Sequence, residues 1–191
     1  MEKFDDDKFI AKYREGDLSA LGVLYDRYSG PLYGYLMRIT GSREEADDIL
    51  QDTFCKLIEK LERYHPRGKF KSYIFRIAHN LAIDNLRKRR FREDGDMEHY
   101  EKRITTCAAN PGISPKDPAQ EVVEREIVEK LKSAIDKLPD EQKQVLIMKH
   151  YSGMKFREIA EAMEIPLNTA LGRMHYALRY LRKMLAGMFI T

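Results

Sequence analysis

The sequence predicts an all-α protein in which two small helical domains are joined by a flexible linker, the second domain containing a helix-turn-helix. Two observations predict this fold class. Almost every strong apolar pattern among the 191 residues has helical period, and no stretch shows the alternation expected of a strand. Periodicity fails in residues 93–119, a stretch interrupted by several prolines, which is typical of a linker. We therefore expect domains at 1–92 and 120–187.

Composition predicts a cytoplasmic protein without membrane insertion. Apolar residues make up 43% of the chain, enough for a core, and the net charge of +3 is too small to identify a partner. The two cysteines, Cys55 and Cys107, form neither a disulfide framework nor a metal-binding spacing, which fits a reducing compartment. The acidic N-terminus is not a secretory signal, and no apolar run approaches the ~18 residues that span a bilayer.

The N-terminal domain is predicted to contain four helices. Ser42 and Glu45 have the spacing of a capping box, which predicts a helix that starts at Arg43. Gly30-Pro31 predicts a kink or brief interruption in the helix before it, because proline lacks the N–H that a helix interior uses. The predicted ranges are Phe4–Arg14, Ser19–Ile39, Arg43–Arg63 and Ser72–Arg90.

The C-terminal domain is also predicted to contain four helices. The first spans Gln120–Leu138, and the second starts at Pro139, which suits a first helical turn. Gly153 is expected to end the second helix. The remaining two helices form the helix-turn-helix.

The stretch from Lys155 to Lys183 predicts that helix-turn-helix. Ile165-Pro166 ends a first helix, and the second helix carries an apolar stripe in steps of four and three. No Asp or Glu occurs from Ile165 to Thr191, so the second helix is suited to the DNA major groove, although a helical hairpin inside a core would show the same apolar spacing. The stripe is Leu167, Leu171, Met174, Leu178, Leu181 and Leu185, and the opposite face holds Asn168, Thr169, Arg173, Tyr176, Arg179 and Lys183.

An acidic and polar face is predicted on the third helix. Asp48, Gln51 and Asp52 lie opposite Ile49 and Leu57. Acids in a first turn are explained by the helix dipole, but these residues lie one to two turns further in. The face is either merely solvated or a docking surface for a basic partner.

A basic segment follows. Ten Lys and Arg residues and one acid, Asp84, occur between Arg63 and Arg92, and the aromatic residues Phe70, Tyr73 and Phe75 lie among them. Basic side chains neutralise phosphates, and aromatic rings stack on unpaired bases. The alternatives are a solvated basic helix end and a core that uses Phe and Tyr.

The motifs of common enzyme classes are absent from the sequence. No GxxxxGK[ST], GxGxxG or HExxH occurs, and the five histidines have no ligand spacing with either cysteine. Adjacent acids such as Asp47 and Asp48 point apart on a helix and do not share an ion. We expect no enzyme, no cofactor and no metal.

Four stretches together resemble the bacterial sigma-70 family of transcription initiation factors, in particular its small extracytoplasmic-function group. ALGVLYDRYSGPLYGYLMRITG resembles the first helices of the conserved N-terminal region. EEADDILQDTFCKLIEKL resembles the segment that docks on the clamp helices of RNA polymerase, and KFKSYIFRIAHNLAIDNLRKRRFR the segment that melts and reads the −10 element. The stretch from LPDEQKQVLIMKHYSG to YLRKML resembles the region that reads the −35 element.

The resemblance implies three sets of contact residues. The polymerase set is Asp48, Gln51, Asp52 and Phe54. The −10 set is Phe70, Ser72, Tyr73, Arg76, Asn80, Asp84, Arg87 and Lys88. The −35 set is Asn168, Thr169, Arg173, Tyr176 and Arg179.

The resemblance also implies partners. These are core RNA polymerase (the clamp helices of the β′ subunit and the β flap), promoter DNA and an anti-sigma factor. Two features depart from the family pattern. Glu164 stands where the turn commonly has glycine, and NTALGR, from Asn168 to Arg173, stands where GTVKSR is common.

Two other functions remain open at this stage. A conventional DNA-binding regulator would explain the helix-turn-helix but neither the acidic face nor the basic aromatic segment. A helical adaptor that mimics a sigma factor would use both charged surfaces for protein contacts.

Overall fold

The structure is a computed structural model that describes residues 5–65, 67–93 and 128–186. Within these ranges all regular structure is helical, which confirms the all-α fold class. The helices are α1 (Asp6–Arg14), α2 (Ser19–Thr40), α3 (Arg43–Leu61), α4 (Phe70–Glu93), α5 (128–136), α6 (Asp140–His150), α7 (Phe156–Ala162) and α8 (Leu167–Ala186). Phe4, the predicted helix start at Gln120 and all of the predicted linker except Glu93 lie outside the described residues, so the domain limits 1–92 and 120–187 stay predictions.

Local chemistry sets the ends of the N-terminal helices. The Asp5 carboxylate caps α1 by accepting the Asp7 N–H at 3.2 Å. Gly41, with φ of +70°, ends α2 in the left-handed conformation that glycine adopts easily. The Ser42 hydroxyl then accepts the Glu45 N–H at 3.4 Å and starts α3, as the capping signal predicts.

Of the two alternatives predicted at Gly30-Pro31, the brief interruption of α2 is wrong, because one helix runs through both residues, and the kink stays a prediction. A proline inside a helix costs about 3 kcal/mol. Three leucines of α2 are fully buried, Leu24 before the proline and Leu32 and Leu36 after it. Burial of each side chain stabilises the fold by roughly 1.5–3 kcal/mol. Burial along the whole helix therefore outweighs the local cost of the exposed Pro31.

The N-terminal core lies between α2, α3 and α4 and contains one buried polar pair. The Tyr35 hydroxyl and His79 Nδ1 lie 2.8 Å apart among fully buried side chains such as Phe75. Burial lowers the pKa of His79 to about 4, and the positive charge of Arg173 acts in the same direction against the opposing effect of Glu164. His79 is therefore neutral at neutral pH.

Because His79 is buried in its neutral form, we expect the unfolding free energy of the protein to decrease on acidification. The unfolded chain protonates His79 near its ordinary pKa of 6.5, whereas the folded chain protonates it only near 4. The stabilisation that neutral His79 gives to the folded state is complete above pH 6.5 and is lost as the pH falls toward 4. We therefore expect the unfolding free energy to decrease by about 2 kcal/mol between pH 7 and pH 5. Urea unfolding at both pH values measures this decrease. His79→Gln should show a flatter pH dependence, and identical slopes for the two proteins would contradict the assignment.

The C-terminal unit packs α8 against α6 and α7. Its buried stripe on α8 is Ala170, Met174, Ala177 and Leu181. The predicted stripe is therefore wrong at its N-terminal end, where Leu167 and Leu171 are 37% and 42% exposed. The buried face of α8 therefore runs through small alanines at positions 170 and 177, one helix position away from the larger leucines.

The two units are in contact with each other. Helix α7 packs on α4, and α6 approaches α2, where the Arg38 guanidinium lies 3.5 Å from the centroid of the Tyr151 ring. The sequence predicted only that a linker would allow the domains to separate. None of the described helices is long and apolar enough to cross a membrane.

Candidate polymerase and nucleic-acid interfaces

The acidic face predicted on the third helix is exposed in the structure. Asp48, Gln51 and Asp52 all point to solvent from the middle of α3. Phe54 is 7% exposed and lies beneath Tyr25 of α2, with ring centroids 4.7 Å apart. Tyr25 is 47% exposed, so the aromatic surface beside the acidic face belongs to Tyr25, and Phe54 supports it from below.

A basic and aromatic cleft of about 590 Å³ opens between the end of α3 and the start of α4. The Tyr64 and Tyr73 rings lie 4.8 Å apart at a tilt of 40°, and the Arg76 guanidinium lies 5.5 Å from the Tyr73 ring. Burial raises the pKa of Tyr64 to about 12 and also raises the pKa of Tyr73, so both phenols are neutral at pH 7. The cleft is lined by Lys60, Arg63, Tyr64, His65, Arg67, Lys69, Ser72, Tyr73, Arg76 and Glu161.

The structure divides the predicted −10 set into three groups. Ser72, Tyr73 and Arg76 line the cleft, although Ser72 is otherwise buried. Further along α4, four residues are exposed on its surface, namely Asn80, Asp84, Arg87 and Lys88. Phe70 is corrected: it is 1% exposed and packs edge-on against Tyr28 and Tyr64, so it stabilises the core and offers no surface to DNA.

Helix α1 holds the wall of the cleft, which the sequence did not reveal. The Asp7 carboxylate accepts the Gly68 N–H at 2.8 Å, and Gly68 has a φ of +64°. The Arg14 guanidinium donates to the Leu61 carbonyl at 2.8 Å and to the Tyr64 carbonyl. The two side chains thus fix the segment between α3 and α4 from both ends. The acidic N-terminal sequence contained no signal for these contacts, which join residues far apart in the chain.

We expect Asp7→Ala to impair the cleft more than the fold. Loss of one hydrogen bond to a charged group costs about 1.5–3 kcal/mol at most and releases Gly68 from its position. The variant should remain folded but bind a short single-stranded DNA several-fold more weakly. Lys8→Ala, on the exposed side of the same helix, is the control for α1. Equal affinities of Asp7→Ala and wild type for this DNA would show that Asp7 does not position the cleft.

The helix-turn-helix is formed by α7, a short turn and α8. The turn follows a C-terminal cap in which the Ile165 N–H donates to the Ala160 carbonyl at 2.9 Å. This cap requires a left-handed residue, and Glu164 takes that position with φ of +54°. Among the described residues, Glu164 is the only non-glycine with positive φ.

The predicted −35 set lies on one side of α8. Asn168, Tyr176 and Arg179 are exposed, and Thr169 is partly exposed. The Arg179 guanidinium lies 4.9 Å from the Tyr176 ring. Arg173 is less accessible, because its guanidinium pairs with Glu141 of α6 at 2.7 Å. Binding of Arg173 to DNA would therefore require it to leave Glu141.

No metal centre accompanies these surfaces. Across the part of the chain that the structure describes, no group of three or more His, Cys, Asp and Glu side chains could hold an ion. The chemistry that the described surfaces offer is charge pairing, stacking and hydrogen bonding.

Two family models match the two helical units. The sigma-70 region 2 model matches residues 24–92, and the sigma-70 region 4 model matches residues 128–181. The chain is also 30% identical over 181 residues to the ECF RNA polymerase sigma factor SigW of Bacillus subtilis, covering 93% of this chain and 95% of that protein. The chain therefore belongs to the ECF group of the sigma-70 family of RNA polymerase sigma factors.

Solved structures share the fold. CnrH, in complex with the cytosolic domain of CnrY, superposes with a TM-score of 0.69 at 20% identity, covering 95% of this chain and 97% of that one. The sigma factor RpoE from Bartonella quintana, in complex with the anti-sigma factor NepR, gives a TM-score of 0.62 at 21% identity, covering 92% and 97%. These structures show the shared fold, and the two family models together with SigW confirm the family that the sequence motifs resemble.

Proposed function

We propose that this protein binds core RNA polymerase and directs promoter-specific initiation of transcription by recognising −10 and −35 elements. The observation that carries the proposal is that one chain of this family combines an exposed acidic face on α3, a basic and aromatic cleft before α4, and a helix-turn-helix whose second helix has no acidic residue. The protein supplies recognition and strand opening, and bond formation belongs to the polymerase. Its place of action is the cytoplasm, where polymerase and DNA are found.

The exposed acidic face of α3 is the proposed polymerase contact. Asp48 and Asp52 supply negative charge, and Tyr25 supplies an adjacent aromatic surface. Charge complementarity of this kind steers association and fixes register. The partner surface is expected to be basic with an apolar centre, as the clamp helices of the β′ subunit would be. The β flap is the expected partner of the C-terminal unit.

The cleft and α4 are the proposed −10 surface. Lys69 and Arg76 can neutralise phosphates, and the partly exposed Tyr73 presents a neutral ring to an unpaired base, supported by the buried Tyr64 ring 4.8 Å away. Stacking contributes about 1–3 kcal/mol per base, which is comparable to the few kcal/mol that unstacking a base requires. The cleft can therefore hold a base that has left the duplex. The exposed Arg87 and Lys88 extend the same surface along the DNA backbone.

The N-terminal part of α8 is the proposed −35 surface. Asn168 and Thr169 lie in the first turn of a helix without acidic residues, the part that enters the major groove in helix-turn-helix proteins. Arg173 and Arg179 can read guanine or bind phosphate. The exposed Leu171 can contact a thymine methyl group, so this helix is expected to read its element partly through apolar contact.

An anti-sigma factor is the proposed regulator. The solved RpoE structure contains an anti-sigma factor, and this chain shares its fold. Such a partner would block the polymerase face, the DNA surfaces or both.

Permanganate footprinting tests the proposal, because permanganate oxidises unpaired thymines. Holoenzyme assembled from core polymerase and this protein should make thymines reactive around the −10 element of a target promoter. Core polymerase alone should not produce this pattern. Protected duplex DNA without reactive thymines would support a conventional DNA-binding regulator instead.

A further inference from the structure

The C-terminal unit lies against the edge of the basic cleft that we assign to −10 DNA and pairs with basic residues there. Lys69 Nζ lies 2.5 Å from the Glu161 carboxylate, and Arg76 Nη1 lies 3.2 Å from the Glu164 carboxylate. Lys71 Nζ donates to the Ser152 carbonyl at 2.9 Å. Glu161 itself forms part of the lining of the cleft. In all three contacts the acceptor belongs to the C-terminal unit. The donors are Lys69, just before α4, and Lys71 and Arg76 in its first two turns.

Glu164 occupies its position at a conformational cost. Its left-handed backbone is one that glycine adopts without strain and that a residue with a Cβ adopts with difficulty. Strained backbone persists only where the surrounding structure holds it, and it is concentrated at functional sites and switch regions. The Glu164 carboxylate contacts Arg76, so the side chain supports the contact between the two units.

The observed arrangement cannot read two separated DNA elements. Helix α7 packs on α4, and Arg76 of α4 lies 3.2 Å from Glu164 in the turn before α8. The −10 and −35 elements are named for positions about 25 base pairs apart, which corresponds to roughly 85 Å of duplex at 3.4 Å per base pair. The units must therefore move apart before both elements are bound.

We propose that the acidic edge formed by Glu161 and Glu164 is an intramolecular interaction surface that competes with promoter DNA for the cleft. The two carboxylates occupy the positions where phosphates would meet Lys69 and Arg76. The free protein rests in this closed state, and separation of the units frees Lys69 and Arg76 to bind phosphates. This inference rests on the proposed function, since it takes the cleft to be a DNA site.

The contact is suited to reversible closure. The four side chains of the two ion pairs are 38–60% exposed, and exposed ion pairs are individually weak and are screened by salt. When only a fraction of the protein is open, the apparent dissociation constant for DNA is the intrinsic constant divided by that fraction. Removal of the two carboxylates should therefore raise DNA affinity without altering any residue that contacts DNA.

The test variant is Glu161→Gln/Glu164→Gly in the full chain without polymerase. Glycine suits the left-handed backbone at position 164, so the turn is retained while the carboxylate is lost. We expect a larger radius of gyration by small-angle X-ray scattering. We also expect about tenfold tighter binding of a short labelled single-stranded DNA of mixed sequence. Glu15→Gln/Glu44→Gln makes the same change in net charge at exposed positions on the N-terminal unit and should affect neither measurement.

Two results would overturn the proposal. One is a variant that matches wild type in size and DNA affinity. The other is a variant that expands but binds DNA no more tightly than the Glu15→Gln/Glu44→Gln control, since competition would then be absent. If wild-type holoenzyme still opens promoters in either case, the closed state is refuted and the proposed function stands. Failure of holoenzyme to open any promoter would refute the proposed function itself.

Discussion

Asp52→Arg should abolish assembly with core RNA polymerase, with at least a 100-fold loss of affinity. Asp52 is exposed at the centre of the acidic face of α3, and the substitution places a positive charge where a basic partner is expected. Like charges placed together at an interface cost several kcal/mol, and each 1.4 kcal/mol is a factor of ten in affinity. Size-exclusion chromatography or a fluorescence titration with core polymerase measures the loss.

Two controls distinguish the loss of the polymerase contact from misfolding and from a general effect of net charge. Glu15→Arg changes the net charge by the same amount at an exposed position at the end of α1, and it should assemble normally. Asp52→Arg should retain the helical content and the stability of wild type, because its side chain makes no contact with the core. Normal holoenzyme formation by Asp52→Arg would remove the assignment of this face to polymerase.

The double variant Arg87→Ala/Lys88→Ala should assemble with polymerase but bind promoters roughly 10- to 100-fold more weakly. Both side chains are exposed on α4 beyond the cleft, and Arg87 is paired only loosely with Asp84, at 4.0 Å. Each lost phosphate contact removes about 0.9 from the slope of log affinity against log salt. The slope measured for holoenzyme on a promoter should therefore decrease by nearly 2 units.

The matched control for this variant is Lys8→Ala/Lys12→Ala, which removes two exposed positive charges from α1. It should leave the salt slope unchanged. A loss of polymerase binding by Arg87→Ala/Lys88→Ala, with no change in salt slope, would instead place this part of α4 at a protein interface.

Much of the fold follows from local sequence signals. The cap at Ser42 and the break at Ile165-Pro166 act within a few residues, so the starts of α3 and α8 that they predict agree with the structure. Signals of this kind fail where distant packing outweighs them. Burial of Leu32 and Leu36 carries α2 through Pro31 in this way.

The candidate site could be predicted only in part. Charge and exposure follow from sequence pattern, so Asp48 and Asp52 on α3 and Arg87 on α4 were expected at the surface, where they lie. Aromatic residues are ambiguous, because the same spacing serves a core and a stacking surface. Phe70 is buried, whereas Tyr73 lines the cleft.

Contacts between remote segments had no signal in the sequence. Asp7 and Gly68 are separated by 61 positions, and Arg76 and Glu164 by 88. Each of these residues is of a type that is common at its place in a helix or loop, so neither pair can be recognised without the fold. Glu164 drew attention only as an unusual residue for its turn, and its contact with Arg76 supplies a reason for it.

Run-off transcription with core RNA polymerase from the source bacterium, this protein and fragmented genomic DNA tests the central claim most directly. We predict discrete, salt-sensitive start sites preceded by a shared pair of −35 and −10 sequences. Transcription indistinguishable from that of core polymerase alone, with no shared upstream sequences, would contradict the claim that this protein directs promoter-specific initiation.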